Sequence, residues 1–261
     1  MIHLLSPAKS LDYNSAISSS TVTIPENLSQ AEKLIKKLKK TSSKDLKSMM
    51  SISDALVKLN KTRFDTWQGK LEISDTSRQA IFAFSGDVYV GLDAYSLNQK
   101  DLEFAQNNLR ILSGLYGILR PYDIIEPYRL EMGSSLKVGR KKNLYEFWGT
   151  EIASNLKSLL ATHQEKTLVN LASNEYFKVV DKKTFDLKII SPQFKDSKNG
   201  EYKIIAFFAK KARGLMSRYI IENKIESSAD LLGFDYEGYR YNEKLSKENE
   251  PVFTREENQI K

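Results

Sequence analysis

Residues 112–121 read LSGLYGILRP, and the chain continues as YDIIEPYRLEMG. This stretch is too apolar for an ordinary surface loop and too interrupted for a helix. Gly114 and Gly117 stand three apart, and Arg120 and Pro121 close the run. Glycine adopts positive φ freely, so the pair permits a tight reversal that a β-carbon would block. Leu115, Tyr116, Ile118 and Leu119 would anchor that reversal on a core. Amides after Gly117 are expected to be exposed and unpaired beside Arg120, a nest that suits a phosphate. The other reading is a purely structural turn.

A chain of 261 residues with 41% hydrophobic content buries a substantial core. Its net charge of +7 suits a polyanionic partner. The absence of cysteine excludes a disulfide scaffold, a thiolate metal site, an iron–sulfur cluster and a thiol sensor. The histidines are two, His3 and His163, and the carboxylates show no Glu-x-x-His spacing. The start MIHLLSPAKS lacks the basic region of a signal peptide, and no run approaches the ~18 apolar residues of a membrane span. The expectation is a soluble cytoplasmic protein with no metal, no cofactor and no membrane partner.

Apolar runs at 2–5, 79–84, 167–172, 187–191 and 202–209 read as strands, with Asn199-Gly200 as a turn. Residues 30–40 form an amphipathic helix, with Ala31, Leu34, Ile35 and Leu38 at i, i+3, i+4 and i+7. Further helices are expected at 52–68 behind a Ser53 cap, at 144–161 behind Asn143 and Glu146, from Ser173, and at 210–224; residues 99–109 are weakly helical. The charged tail from 244 on is expected to fray. This mixture predicts α/β (α+β) architecture: one compact domain over 1–261, with a central sheet flanked by helices.

In KKARGLMSRYIIENK, Ala212, Leu215, Met216, Tyr219 and Ile220 make an apolar stripe. The opposite face carries Lys210, Lys211, Arg213, Gly214, Ser217 and Arg218. Four cations on one side, near a helix N-terminus and around a glycine that lets another backbone approach, predict phosphate binding. The plainer reading is a solvated face with Gly214 packed on a neighbour. Lys33, Lys36, Lys37, Lys39 and Lys40 read as an ordinary solvated face.

Three strand-end turns add polar groups. SPAK places Ser6 and Lys9 after the first strand, with Asp12 near the sheet edge; NLASNEYFK is a strand-to-helix turn, the usual place for ligands in α/β sheets. Ser6, Lys9, Asn170, Ser173 and Lys178 are candidates for a pocket, with Ser173 also expected to cap its helix. FSGDVYVGL contributes Asp87. Asp12, Asp87 and Glu175 are the candidate acids if the chain is an enzyme cleaving a glycosidic bond of a nucleotide or DNA base, because that chemistry needs a carboxylate beside an oxocarbenium-like centre.

SPAKSLDY, FSGDVYVGL, LRILSGLYGILRPYDIIEPYRLEMG, LYEFWG, NLASNEYFK, AKKARGLMSRYIIEN and GFDYEGYRY together resemble the YaaA family of peroxide stress proteins. They extend from the first ten residues to about 241. The resemblance implies a cytoplasmic bacterial protein that limits free iron and protects DNA and protein under hydrogen peroxide. It also implies DNA binding, through a helix-hairpin-helix-like element beside a positive cleft. Carried onto this sequence, the element falls on Leu112 to Pro121 and the cleft on Lys210, Lys211, Arg213 and Arg218. Here two residues separate the glycines, where the usual hairpin has one.

The expected function is therefore backbone binding to double-stranded DNA, bent or damaged, with little sequence preference. Gly114, Tyr116, Gly117, Arg120, Lys210, Lys211, Arg213, Gly214 and Arg218 are its expected contacts. The nucleotide or base enzyme is the alternative.

Overall fold

The structure is a computed structural model that describes residues 1–260. The chain opens with the buried strand β1 (Ile2–Leu5) and the short β2 (Ser10–Leu11). Three helices follow: α1 (Leu28–Lys39), α2 (Ser43–Met50) and α3 (Asp54–Thr66). α1 buries Ala31, Leu34, Ile35 and Leu38, as their spacing predicts. Ser42 and Ser53 start α2 and α3 by accepting hydrogen bonds from the Asp45 and Leu56 amides.

The strand expected at 79–84 is interrupted. It becomes β3 (Arg78–Gln79), a single turn α4 (Ala80–Ala83) and β4 (Phe84–Ser85). All four residues of α4 are buried, and a short apolar run carries no periodicity to separate strand from helix. Next come α5 (Asp87–Leu92), α6 (Gln99–Asn108), β5 (Leu109–Ser113), β6 (Gly117–Leu119) and β7 (Ile124–Ile125). The helix expected at 144–161 is two helices, α7 (Leu144–Trp148) and α8 (Glu151–Leu160), split at Gly149 with φ 50°.

β8 (Thr167–Asn170), α9 (Asn174–Phe177), β9 (Lys188–Ile190), β10 (Gln193–Lys198) and β11 (Glu201–Lys203) follow. Asn199 and Gly200, both at positive φ, turn the chain between β10 and β11 as expected. The helix expected from Lys210 begins earlier, as α10 (Ala206–Glu222). The strand expected at 202–209 correspondingly ends at Lys203. The tail does not fray: β12 (Arg240–Tyr241) leads to β13 (Val252–Arg255), which is buried along its length.

The molecule is a mixed α/β structure. Its central sheet has the order β6-β5-β1-β8-β9. β1 runs parallel to β5 and β8, β8 parallel to β9, and β6 antiparallel to β5. The chain leaves β1 for β5 on one side and returns to β8 on the other. The carboxyl ends of β1 and β8 therefore flank a reversal of strand order, the usual place for ligands in α/β sheets. A second sheet has the order β11-β10-β13-β12. α10 lies on β1, where His3 Nε2 meets Ser217 Oγ at 3.0 Å. Among the described residues, no helix is long and apolar enough to cross a membrane.

Candidate functional site

Leu112 to Pro121 is not a helix-hairpin-helix element. It is the antiparallel β5–β6 hairpin, with Ser113 paired to Gly117. Gly117 does take positive φ, at 72°. The space that its missing side chain leaves is filled by Trp148, whose ring would lie 2.8 Å from a β-carbon there. Gly114 is pressed on the Leu130 carbonyl in the same way, and its own carbonyl accepts from Trp148 Nε1 at 3.1 Å. The amides are spent within the protein. Leu115 and Tyr116 donate to Ser113 Oγ at 3.2 and 2.9 Å, and Ile118 donates to the Tyr116 carbonyl. Tyr116 is buried, its hydroxyl accepting from Trp67 Nε1. Arg120 is locked to Asp123 at 2.8 Å and to the Ile24 carbonyl at 2.7 Å. The expected nest of free amides does not form, because Ser113 and the Tyr116 carbonyl take the amides and Trp148 packs against Gly117.

The cations of α10 are also engaged. Lys210 stands 3.8 Å from Asp87, and Lys211 pairs with Glu237. Arg218 binds Glu222 at 2.7 Å, the Leu92 and Asp93 carbonyls and Ser96 Oγ. Arg213 is half-buried, and burial lowers its pKa; among the described residues no carboxylate pairs with it. Because α10 starts at Ala206, the amides at 210–213 are inside the helix rather than at its open end. The backbone that approaches Gly214 belongs to α5: a β-carbon there would meet the Val88 carbonyl oxygen at 1.8 Å. Lys210, Lys211 and Arg218 are thus paired with acids, Glu222 from α10 itself and the others from other segments, while Arg213 has no carboxylate partner among the described residues.

At the carboxyl ends of β1 and β8 the structure brings Ser6, Ser173 and Asn170 together. Ser6 Oγ accepts from the Ser173 amide at 2.9 Å and donates to Ser173 Oγ at 3.3 Å. Ser173 therefore does not cap α9 with its side chain. Asn170 Oδ1 accepts from the Ala172 amide and its Nδ2 reaches Ser191 Oγ. Lys9 lies beside this cluster and pairs with Glu131 at 3.5 Å, which Arg129 also holds at 2.8 Å. Lys178 points away, over the Tyr145 ring.

The three candidate acids share no partner. Asp12 faces Arg78 at 3.7 Å. Its partial burial pushes its pKa up, but hydrogen bonds from Ser15, Asn14 and Tyr95 outweigh this and hold it well below the usual carboxylate range. Such a group stays ionised and is a poor proton donor at neutral pH. Asp87 faces Lys210, and Glu175 accepts from the Gly133 amide at 3.0 Å. Among the described residues, no hydrogen bond or ion pair joins these acids into the pair that acid-assisted cleavage of a base uses. Among the described residues, no cluster of three or more His, Cys, Asp or Glu is placed to hold a metal.

The chain's surplus of positive charge lies elsewhere. Residues 28–70, which form α1, α2 and α3, carry eleven Lys and Arg against four Asp and Glu. This surplus of seven equals the net charge of the whole chain, so the remainder is balanced. Lys33, Lys36, Lys37 and Lys40 face water from α1, Lys44 from α2 and Lys58 from α3. Among the described residues only Lys47 and Lys61 of the eleven are ion-paired, to Asp54 at 2.8 Å and Asp65 at 3.9 Å.

α3 then leads into a groove of about 480 Å³ between its last turns, the loop after β2, residues 68–76 and Pro127. Arg63 and Lys70 line it. Its wall is held by Glu126, whose carboxylate accepts the amides of Gln68, Gly69 and Lys70. Sequence reasoning missed this lobe because it reads the lysine run of α1 as an ordinary solvated face and does not add to it the cations of α2, α3 and the loop after them. The signal was there as charge counted by segment.

The sequence profile of the family described as peroxide stress protein YaaA matches residues 1–245. A UPF0246 protein of Polynucleobacter asymbioticus is 51% identical over 257 residues, covering 98% of this chain and 99% of its own length. A UPF0246 protein of Marinomonas sp. is 52% identical over 257 residues, covering 98% of each chain. One from Colwellia psychrerythraea is 51% identical over 257 residues, covering 98% of this chain and 100% of its own.

Proposed function

We propose that this chain, which belongs to the peroxide stress protein YaaA family, grips the sugar–phosphate backbone of DNA through the α1–α3 lobe. The observation that carries this reading is the concentration of the chain's entire charge surplus in residues 28–70. Exposed lysines suit phosphates, which lie at regular spacing and need no base-specific geometry. Binding by such contacts tolerates any sequence and accepts duplex, bent or damaged DNA alike.

The same physics connects binding to peroxide stress. Each lysine that meets a phosphate releases a condensed cation from the DNA. Iron(II) is one of the cations a phosphate backbone collects, and peroxide reacting with iron held there damages the strand it sits on. A cationic protein coat in the cytoplasm would lower that local iron without binding a metal itself.

A salt titration against linear, bent and gapped duplexes tests the reading. The logarithm of affinity should fall linearly with the logarithm of salt concentration, by about 0.9 per phosphate contacted. Salt-independent binding, or none to any of the three duplexes at low salt, overturns it.

A further inference from the structure

We infer that the groove at the end of α3 is a nucleotide site, in which one nucleotide turned out of a strand places its phosphate on Arg63 and Lys70 and its base on an apolar floor. This rests on the lobe's proposed role in binding DNA, and names what the adjoining groove does.

Arg63 is the first reason. It is half-buried, its one hydrogen bond is a long one of 3.4 Å to Asn60 Oδ1, and among the described residues no carboxylate pairs with it. Burial lowers its pKa most; Tyr13 opposes this, and the charge of Arg129 adds to it. A guanidinium kept in this condition is at a cost that an incoming anion relieves. Lys70 is steered toward the same loop by Thr76 Oγ1 at 2.7 Å and Ser74 Oγ at 3.3 Å.

The lining is the second reason. Leu11, Tyr13 and Pro127 give an apolar floor, and Asn14 and Gln68 stand exposed on the rim. Tyr13 is fixed by its hydroxyl bond to the Ile125 carbonyl at 3.0 Å and by Arg78, 5.8 Å from its ring centre. Inorganic phosphate would use only the cations. A flat heteroaromatic with amide-like edges uses the floor and the carboxamides as well.

Size and rigidity are the third. About 480 Å³ falls within the range of small-ligand sites. The Glu126 carboxylate, a lining acid, is already occupied by three backbone amides, so it shapes the wall. Asp75 is the other lining acid and is exposed, where water screens its charge.

The test is calorimetric titration of the full chain with deoxynucleoside 5′-monophosphates and, separately, with inorganic phosphate. The nucleotides should bind at one site, at least about tenfold more tightly than phosphate. Thr66→Tyr, which fills the groove from an exposed position, and Arg63→Gln should each weaken nucleotide binding at least about tenfold, with folding checked by circular dichroism. Gln68→Ala, at an exposed rim position, gives a second reading if either variant fails to fold. Equal affinity for phosphate and nucleotide, no saturable nucleotide binding, or folded groove variants that bind as the parent does would overturn the inference. A duplex titration on the same protein separates the two readings. Duplex binding without nucleotide binding defeats the groove alone. Nucleotide binding without duplex binding defeats the lobe and, with it, a DNA strand as the source of the nucleotide.

Discussion

Gly91 and Gly214 face each other across the contact between α5 and α10. A β-carbon on Gly214 would lie 1.8 Å from the Val88 carbonyl oxygen, and one on Gly91 would lie 2.2 Å from the Lys211 carbonyl oxygen. The two helices therefore touch backbone to backbone, and neither glycine is available to an outside ligand.

Gly214→Ala should accordingly act on stability. The helices must separate to admit the methyl group, at a cost of roughly 1–3 kcal/mol. Urea unfolding would register this as a lower midpoint with an unchanged slope. An alanine variant as stable as the parent but weaker in DNA binding would contradict the packing role.

Charge reversal separates the two basic helices. Lys36→Glu, Lys37→Glu and Lys40→Glu combined should weaken duplex binding at least about tenfold and flatten the salt slope by about 2.7, from three lost contacts. Lys210→Glu should change affinity by no more than about twofold, since Lys210 already faces Asp87. Electrophoretic or fluorescence titration at several salt concentrations gives both numbers, and the opposite ranking would return the site to α10.

The β5–β6 hairpin is a structural device, so Gly117→Ala should destabilise the fold. Positive φ costs an alanine about 1–2 kcal/mol, and the Trp148 ring blocks the methyl group at 2.8 Å. Thermal unfolding should drop by roughly 5 °C. A fully stable variant would show that Trp148 moves aside freely.

His3 sets a limit at low pH. Burial, and then the charges of Arg110 and the amino terminus, lower its pKa to about 3. Its folded pKa lies below the unfolded value of ~6.5, so the unfolded chain takes up the proton first as pH falls. The stabilisation is fully present above ~6.5 and is lost progressively as pH falls toward the folded value. Urea unfolding at pH 7 and pH 4 should show the parent losing a few kcal/mol more than His3→Gln. Parallel losses would exclude His3 as the cause.

Much of the scaffold can be read from the chain. The stripe of α1 is explicit in its spacing, and so is the turn at Asn199-Gly200, because both depend on near neighbours. The charge state of α10 is not. Asp87, Asp93 and Glu237 pair with Lys210, Arg218 and Lys211 from segments that only the fold brings near. The hairpin glycines predicted a reversal correctly, but not that Trp148 and Ser113 would fill it. Ser6 and Ser173 do meet at the strand ends, because a parallel sheet aligns the carboxyl ends of its strands. The cationic lobe needed only a different count, made by segment instead of by helix face.

β13 lies between β10 and β12 in the second sheet, although it comes later in the chain than both. During synthesis, β10 and β12 emerge from the ribosome with an empty seat between them. The β10–β11 hairpin can pair at once, but β12 has no place in the sheet until residues 252–255 arrive, and until then the inner edge of β10 stays open for other chains to join.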